Sequence, residues 1–299
     1  MRISYSSFDT YKKCPLKYKF SYIDKISVPK RPELFFGGLI HSVVQYALKK
    51  DPLMPPYEEL ISFYTKNWQS DVYADKEIEK QYFDFGKNMI FHFHGTHKPG
   101  LRNIIATEKY FAIPLNKNHE LSGVMDRVDK LPIGTLEIID YKTNKKLPTQ
   151  EEVDNDKQLT FYNLAVKILW PETEQVKLTL YFLKPNIQMS SKRDEYAIDM
   201  VKKEIIETAD EIEKAKEFKA TPNQFCDWCD FQSRCPKFKD KVTTNLRDEK
   251  VISKYLAAKK AVDILEPEIR KLMDRNDVDV LKSGPVRIYR NDDKLSIRD

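Results

Sequence analysis

The chain has 299 residues, of which 41% are hydrophobic and 12% aromatic, and it contains only 8 glycines. This composition predicts a folded globular protein and excludes a disordered chain or an architecture built on glycine-rich phosphate loops. The net charge of +5 is compatible with nucleic acid as a partner, although solubilising lysines would give the same value.

The pattern of elements changes from helical to strand-like near residue 107, which predicts an α/β core with a mixed sheet. No apolar run reaches the roughly 18 residues that would span a bilayer, and the N-terminus lacks the apolar stretch of a signal peptide. We therefore expect a soluble, cytoplasmic protein.

In chain order, the predicted elements are a helix over 39–49 opened by Gly37-Gly38, helices within 56–95, strands over 107–115, 121–131 and 135–142, a buried helix over 158–169, a strand over 175–183, an amphipathic helix over 200–217, a charged helix over 248–275 and a short strand near 286–289.

Asp140 and Lys142 lie at the end of the third predicted strand. Because alternate side chains of a strand share a face, both point the same way as Ile138. A carboxylate in this place can hold a divalent cation, and the ammonium can orient an attacking water or help to deprotonate it. An exposed ion pair at a strand end is the alternative, since the D-x-K pattern is common by itself.

Asp126 lies on the preceding strand, which should pair antiparallel with the Asp140 strand through a short turn. The two carboxylates would then come within reach of each other, and they repel unless a metal ion lies between them. Asp129 is nearer to the turn, and we interpret it as a solvated side chain. His41, near the start of a helix, either is structural or adds a nitrogen ligand, which Mn²⁺ and similar ions accept.

Gln158 and Tyr162 are four residues apart on a predicted helix and therefore share a face. They either pack as ordinary neighbours or face the same site and touch a substrate phosphate.

The cysteines have an asymmetric spacing, with Cys226, Cys229 and Cys235 in one short segment and Cys14 far upstream. Four thiolates suit either Zn²⁺ or a [4Fe–4S] cluster. Zinc ribbons usually use two close pairs, whereas here one ligand is remote and a proline follows both outer cysteines. The spacing favours iron–sulfur over zinc, and a disulfide is not expected in an intracellular chain.

Six short motifs follow one another along the chain. They are Ser4-x-Ser6-x-Phe8-x2-Tyr11-x2-Cys14-Pro15-x2-Tyr18-x-Phe20, Gly38-x2-His41, Gly123-x2-Asp126-Arg127-x-Asp129, Asp140-Tyr141-Lys142-Thr143, Gln158-Leu159-x2-Tyr162, and the three C-terminal cysteines. Taken in this order, they resemble the iron–sulfur, RecB-like branch of the PD-(D/E)xK nuclease superfamily, which includes the nuclease domains of RecB and AddB and nucleases of CRISPR adaptation. Two departures stand out: Asn144 occupies a place where a small residue is frequent, and roughly the last 60 residues match no motif.

The resemblance implies a restriction-endonuclease-like fold, in which helices flank a mixed β-sheet core. Residues 1–240 would form the nuclease domain with a helical insertion at about 50–106, and residues 241–299 would form a helical extension with a short strand. A [4Fe–4S] cluster would join the N- and C-terminal segments of the domain without redox chemistry. Its ligands would be Cys14, Cys226, Cys229 and Cys235.

The resemblance also implies a metal-dependent deoxyribonuclease, often an exonuclease on single-stranded DNA, that hydrolyses phosphodiester bonds. The ligands of Mg²⁺ or Mn²⁺ would be His41, Asp126, Asp140 and the backbone carbonyl of Tyr141. Lys142 would position the attacking water or stabilise the charged transition state. The residues that would contact DNA are Gln158, Tyr162 and Arg127.

Two alternatives stay open for the function. One is a non-catalytic DNA-binding iron–sulfur subunit, against which the complete His-Asp-Asp-Lys set argues. The other is a nuclease that works within a recombination, replication or CRISPR-adaptation complex. Aromatic residues of the helical insertion, such as Tyr64, Tyr82 and Phe85, either stack on the bases of a single strand or form a hydrophobic core.

Overall fold

The computed structural model describes residues 1–49, 53–97, 103–238, 249–283, 286–290 and 295–298. It divides into two units, Met1–Lys237 and Phe238–Asp299. In the first unit, helices flank a six-stranded mixed sheet. This mixed α/β architecture is the fold class that the sequence predicts.

The helices and strands of the first unit follow one another as strand β1 (Arg2–Ser4), helices α1 (Tyr5–Lys13), α2 (Pro15–Tyr18), α3 (Pro32–Leu48), α4 (Tyr57–Lys66) and α5 (Lys76–Thr96), strands β2 (Asn103–Pro114), β3 (Glu120–Lys130) and β4 (Thr135–Lys142), helices α6 (Gln150–Asp154) and α7 (Lys157–Leu169), strands β5 (Gln175–Phe182) and β6 (Ile187–Ser191), and helix α8 (Glu195–Lys214). Shorter turns of helix lie at Lys19–Ile23, Ser70–Val72, Cys226–Trp228 and Gln232–Arg234.

Strand β3 is central to the sheet because three strands pair with it. It pairs antiparallel with β2 along its whole length. Its other edge pairs parallel with β1 at one end and antiparallel with β4 at the other, over Arg127–Lys130. Strand β4 pairs parallel with β5, and β5 pairs antiparallel with β6. Because a parallel pair needs a crossover connection, the chain passes through α6 and α7 between β4 and β5.

The two faces of the sheet support two separate hydrophobic cores. Alternate side chains of a strand point to opposite faces, and in β4 the neighbours Ile138 and Ile139 belong to different cores. Ile138 packs in the core that includes residues of α1, α7 and α8. Ile139 packs in the core that includes residues of α3, α4 and α5. Helices from both layers can therefore reach the end of β4.

Helix α3 begins earlier than the sequence predicts. It starts at Pro32, and Gly37-Gly38 lie inside it rather than at its opening. Proline is favoured at the first position of a helix because its missing N–H is not needed there. Burial of Phe36, Ile40 and Val43 in one core offsets the low helix propensity of the two glycines. The sequence does not predict strands β1 and β6, because segments of three and five residues are too short to show a clear alternation of apolar and polar residues.

The helical region before β2 consists of α4 and α5, while residues 50–52 and 98–102 lie outside the described part of the chain. Tyr64 of α4 is fully buried, and a Cβ on Gly86 of α5 would lie 2.1 Å from its hydroxyl. Gly86 is therefore needed where these two helices approach each other. Tyr64 belongs to the core, whereas Phe85 remains 40% exposed.

The second unit contains the long helix α9 (Glu249–Asn276) and the antiparallel strands β7 (Val280–Ser283), β8 (Val286–Arg290) and β9 (Leu295–Arg298). Met273 of the helix is fully buried, and Arg290 of β8 forms an ion pair with Asp274 at 2.7 Å. These contacts attach the small sheet to the C-terminal half of α9. Within the described residues, no helix has the length and apolarity needed to cross a membrane.

Candidate active site

Asp126 and Asp140 lie where strands β3 and β4 separate. The last paired residues at this end are Arg127 and Ile139, so both aspartates come directly after the ladder stops. The backbone N–H of Tyr141 donates to the Asp126 carboxylate over 2.8 Å. The antiparallel pairing expected from the short turn thus brings both carboxylates to the same end of the sheet.

His41 of α3 and Glu108 of β2 lie beside Asp126. His41 Nδ1 is 3.4 Å from Asp126 Oδ2. One ligand atom from each of His41, Glu108 and Asp126 lies within 4.8 Å of the other two. An imidazole nitrogen together with carboxylate oxygens is a donor set that Mn²⁺ and similar ions accept.

Sequence reasoning missed Glu108, because a single glutamate in a strand belongs to no motif. Its φ is +46°, in the left-handed region that non-glycine residues seldom adopt. The pairing of β2 with β3 is irregular two residues earlier, between Ile104 and Ala106. Irregularities of this kind break the regular alternation of side chains and are common next to active sites.

Asp140 is held by three neighbouring side chains. Lys142 Nζ lies 2.7 Å from Asp140 Oδ2 and also donates to Gln158 Oε1 over 2.8 Å. Gln158 Nε2 and Tyr162 Oη both donate to Asp140 Oδ1, over 2.9 and 3.0 Å. Gln158 and Tyr162 share a face of α7, as their spacing predicts, and that face meets the Asp140 carboxylate.

The glycine of the G-x-x-D pattern also has a packing reason. Phe111 of β2 is paired with Gly123 of β3, and a Cβ on Gly123 would lie 2.7 Å from the Phe111 ring. Phe111 in turn contacts the Tyr162 ring edge to face, with 6.4 Å between ring centres. Gly123 thus leaves room for the aromatic side chain that packs against a hydrogen-bond donor of Asp140.

Burial and mutual repulsion perturb the acids of this site. Burial raises the pKa of Asp140, Lys142 opposes the rise, and the charge of Asp126 adds to it. Burial likewise raises the pKa of Glu108, and Asp126 adds to that rise. Burial lowers the pKa of His41, but the hydrogen bond and charge of Asp126 outweigh burial and leave that pKa raised. A divalent cation would relieve this crowding of negative charge.

Two cavities open onto these residues. One of about 510 Å³ is lined by His41, Glu108 and Thr143, among others. The other, of about 380 Å³, is lined by Lys142 and Lys146, among others. A substrate can therefore approach the group from more than one direction.

Arg127 and Asp129 lie on the other face of β3 from Asp126. The Arg127 side chain is 2% exposed and donates to both carboxylate oxygens of Asp129 over 2.6 and 2.7 Å. The solvated Asp129 expected from the sequence is wrong, because this residue is fully buried. In this structure Asp129 engages the Arg127 guanidinium, and the contact of Arg127 with DNA stays a prediction.

The N-terminal segment docks against the segment that carries the other three cysteines. Leu16 N donates to the Lys219 carbonyl over 3.2 Å, and Asn223 Nδ2 donates to the Lys13 carbonyl over 3.0 Å. Burial raises the pKa of Cys229, and the charge of Cys14 contributes to that rise. Among the residues that the structure describes, no three cysteine sulfurs lie within 4.8 Å of one another.

A sequence profile of the PD-(D/E)XK nuclease superfamily matches residues 2–236. This match covers most of the chain and includes every residue of the site described above. The chain belongs to the PD-(D/E)XK nuclease superfamily. Membership of this superfamily identifies the chain as a nuclease. The mixed sheet and the two convergent aspartates are consistent with that assignment.

Among relatives of this PD-(D/E)XK chain are the Gene 69 proteins of Mycobacterium phages L5 and D29, which are 26% and 27% identical to it. Each alignment covers 79% of this chain, and the alignments cover 96% and 97% of the phage proteins. A crystal structure from Eubacterium rectale, of a protein provisionally named as an exonuclease, covers 82% of this chain and 90% of that chain. It has a TM-score of 0.48 at 12% identity.

Proposed function

We propose that the protein is a metal-dependent DNA nuclease that acts as an exonuclease and prefers single-stranded DNA. The observation that carries the proposal is the convergence of His41, Glu108 and Asp126 beside the Asp140–Lys142 pair. This group combines donors for a divalent cation with a fixed ammonium, and both are needed to neutralise a phosphodiester during hydrolysis.

His41, Glu108, Asp126 and Asp140 are the side chains that would hold Mg²⁺ or Mn²⁺, with the Tyr141 carbonyl as a further predicted ligand. The donor set fits, because one imidazole and three carboxylates suit Mn²⁺ and carboxylate oxygens suit Mg²⁺. Burial raises the pKa of Asp140 and of Glu108, and the charge of Asp126 adds to both rises, so a divalent cation held by these carboxylates would favour their ionised forms. When bound, the cation supplies Lewis-acid polarisation of the phosphate and lowers the pKa of a bound water.

Lys142 would stabilise the negative charge that develops on the phosphate. Burial lowers the pKa of its ammonium, but the adjacent Asp140 outweighs burial and leaves that pKa raised. A lysine that keeps its proton acts through its charge and its N–H groups rather than as a general base. Its contact with Gln158 over 2.8 Å holds the ammonium at the site.

Gln158 and Tyr162 would act as positioning residues for Asp140. Both donate to the same carboxylate oxygen, Oδ1, while Lys142 contacts Oδ2. Two hydrogen bonds to one oxygen and an ion pair to the other fix the orientation of this carboxylate, as outer hydrogen bonds do for metal ligands in general. This role differs from the direct phosphate contact that the sequence suggests.

A basic surface next to Lys142 would bind the DNA backbone. Lys146 lines the same cavity as Lys142. Burial lowers the pKa of Lys184, and the nearby charge of Lys145 lowers it further. Lys184 Nζ also lies 3.7 Å from the centre of the half-exposed Phe85 ring. Phosphates would relieve the repulsion between these ammonium groups, and an exposed aromatic ring can stack on a base.

The position of α3 supports a preference for single strands. His41 comes from the middle of this helix, whereas Lys142 lies at the end of β4. One of the two routes to the site therefore runs between the helical layer and the strand end, where the cavity of about 510 Å³ lies. A flexible single strand can follow such a recess more easily than a stiff duplex.

We further propose that Cys14, Cys226, Cys229 and Cys235 bind a [4Fe–4S] cluster. Around one tetrahedral Zn²⁺, with Zn–S bonds of about 2.3 Å, the sulfurs would lie about 3.8 Å apart. No three of these sulfurs are within 4.8 Å of one another in the described chain. The structure therefore does not gather the four thiolates by itself, and the support for a cluster is the spacing of the cysteines in the sequence, with three in one short segment and one remote. Bound there, the cluster would fasten the N-terminal segment to the nuclease unit in a reducing cytoplasm.

The experiment for the activity incubates the anaerobically purified chain and Mn²⁺ with end-labelled linear single strands, the same strand circularised, and blunt duplex. We expect linear single strands to be degraded fastest and circles to survive. Asp140→Asn should abolish cleavage, whereas the exposed control Asp199→Asn on α8 should not change it. Equal cleavage by Asp140→Asn and the wild type would overturn the assigned site. DNA binding without cleavage under any metal would favour the non-catalytic alternative.

Replacing lysines tests the proposed DNA surface by salt dependence. Lys145→Ala combined with Lys184→Ala should weaken DNA binding and reduce the slope of log K against log salt by about 1 to 2. The control pair, Lys203→Ala with Lys216→Ala, removes the same charge from another surface and should leave the slope unchanged. Equal slopes for both pairs would remove this surface from the proposal.

The experiment for the cluster measures iron and acid-labile sulfide after anaerobic purification. We expect about four irons per chain, and Cys14→Ala should lose both the iron and the brown absorbance. Ser6→Ala, an exposed change in the same segment, is the matched control and should keep them. One zinc without colour would replace the cluster by a zinc site and leave the nuclease proposal in place.

A further inference from the structure

Seven apolar residues of helix α9 repeat with the spacing of a coiled coil, while Ile252, Leu256 and Ile264 lie outside this repeat. They are separated alternately by four and three residues, which places them on one seam of the helix. The seven positions are Val251, Tyr255, Ala258, Val262, Leu265, Ile269 and Leu272. The nuclease site and the proposed cluster make no use of this pattern.

Much of this seam is exposed. The large side chains Tyr255, Val262, Leu265 and Leu272 are 65%, 58%, 50% and 47% exposed. A row of large apolar side chains at this exposure, on a helix rich in charged residues, marks an interaction surface.

The small sheet of the second unit lies beside the seam and leaves it open. Met273 is fully buried, and Leu295 N of β9 donates to Glu266 over 2.8 Å. Both helix residues directly follow a seam position, so the sheet covers the flank of the seam. Pro267, inside the helix, falls two residues after a seam position, where a coiled coil faces solvent.

We propose that the seam of α9 pairs with the same seam of a second copy of this chain, as an antiparallel two-stranded coiled coil. In this arrangement the packing layers join residues of different size. Tyr255 of one copy meets Leu272 of the other, Ala258 meets Ile269, and Val262 meets Leu265. A parallel pair would instead set Tyr255 against Tyr255 and Ala258 against Ala258, which crowds one layer and leaves a void in the next.

The charges beside the seam favour the same direction. The antiparallel register places Lys259 opposite Glu266 of the other copy, and the symmetry makes this contact twice. It also sets Lys254 opposite Arg275 near the helix ends. The parallel register sets Lys254 opposite Lys259 and provides no attractive pair. Only the antiparallel register therefore gives an opposite-charge contact close to the middle of the seam.

Sedimentation equilibrium of the full chain tests the proposal over a range of concentrations. We expect a dimer that Val262→Glu combined with Leu265→Glu converts to a monomer. The matched control, Leu256→Glu with Ile264→Glu, adds the same charges to exposed positions of the same helix outside the seam and should stay dimeric. Circular dichroism shows whether both variants keep their helix. A wild type that is monomeric up to about 100 µM, or equal dissociation of both variants, would overturn the proposal.

A single charge reversal tests the direction of pairing. In the antiparallel register Lys259→Glu sets Glu against Glu266 and should weaken the dimer about tenfold. In a parallel register the same change would set Glu against Lys254 and tighten the dimer. Lys271→Glu, on the outer side of the helix, is the control and should have little effect. Tighter association of Lys259→Glu would overturn the antiparallel arrangement.

Discussion

The two faces of strand β3 use the same short motif in opposite ways. Asp126 lies near the middle of β3, where β4 separates from it, and meets His41 and the backbone N–H of Tyr141. One and three residues later, Arg127 and Asp129 lie on the opposite face, where they are buried and bind each other. One carboxylate of the motif is thus available to an ion or a substrate, while the other neutralises an internal guanidinium.

Strand alternation, rather than the presence of a carboxylate, therefore decides which residue of the motif is accessible for chemistry. Asp126 shares its face with Val128, and Arg127 shares its face with Asp129. If the pairing of β3 shifted by one residue, Arg127 and Asp129 would take the face that Asp126 and Val128 now occupy. Substitutions on each face of β3 test the two roles separately.

The largest expected effect is on cleavage, from Asp126→Asn. The amide keeps an oxygen that can accept the Tyr141 N–H but removes the negative charge. We expect the cleavage rate to fall by at least about 10²-fold, with a change in unfolding free energy within about 1 kcal/mol. Initial rates with Mn²⁺ and urea unfolding measure the two quantities. A variant that is unstable but fully active when folded would reverse the roles assigned to the two faces.

The next effect is on stability, from Arg127→Met. Removing the guanidinium leaves the buried Asp129 carboxylate without its charged partner, which should lower the unfolding free energy by about 3–5 kcal/mol. The double variant Arg127→Met with Asp129→Leu removes both charges and should recover most of that loss. Urea unfolding of both variants measures this, and a single variant as stable as the wild type would contradict the structural role of the pair.

A smaller effect is expected from Tyr162→Phe, which removes a hydroxyl donor from Asp140. If Tyr162 positions the carboxylate, kcat should fall about tenfold while KM for DNA stays unchanged. A direct phosphate contact would instead raise KM and spare kcat. The exposed control Tyr196→Phe should change neither constant. Steady-state kinetics on a single-stranded substrate separate the two outcomes.

The smallest effect is a pH dependence of Mn²⁺ binding. The pKa values of His41, Glu108 and Asp140 are raised, so protons compete with the metal at higher pH than they would at ordinary side chains. Affinity should therefore rise with pH, and binding should release protons. Calorimetry in buffers of different ionisation heat measures the release. Binding that is independent of pH would mean that these groups are not ligands.

Much of the sheet could be predicted because its pattern is local. The short turn between β3 and β4 dictates antiparallel pairing, and α7 between β4 and β5 fits a parallel crossover. These two facts suffice to bring Asp126 towards Asp140 and to set Gln158 near Asp140. The start of α3 is harder to predict from the sequence. The favourable proline at its first position and the burial of one helix face outweigh the low helix propensity of the two glycines.

Other parts of the site depend on contacts that no local pattern records. Glu108 lies beside His41 because its own backbone is in the left-handed region, and the sequence of strand β2 gives no sign of this irregularity. The pairing of Arg127 with Asp129 depends on which face is buried at that end of β3. Tyr162 is buried and donates to Asp140, a contact that its spacing from Gln158 does not reveal. Each is set by packing between elements distant in the chain.

The most direct test of the central claim is Mn²⁺ binding measured by electron paramagnetic resonance on three proteins: the wild type, Asp126→Asn and the exposed control Asp199→Asn. If Asp126 and its neighbours form the metal site, the wild type and Asp199→Asn bind Mn²⁺ alike, and Asp126→Asn loses most of that binding. Unchanged binding by Asp126→Asn, or no binding by the wild type, would contradict the account.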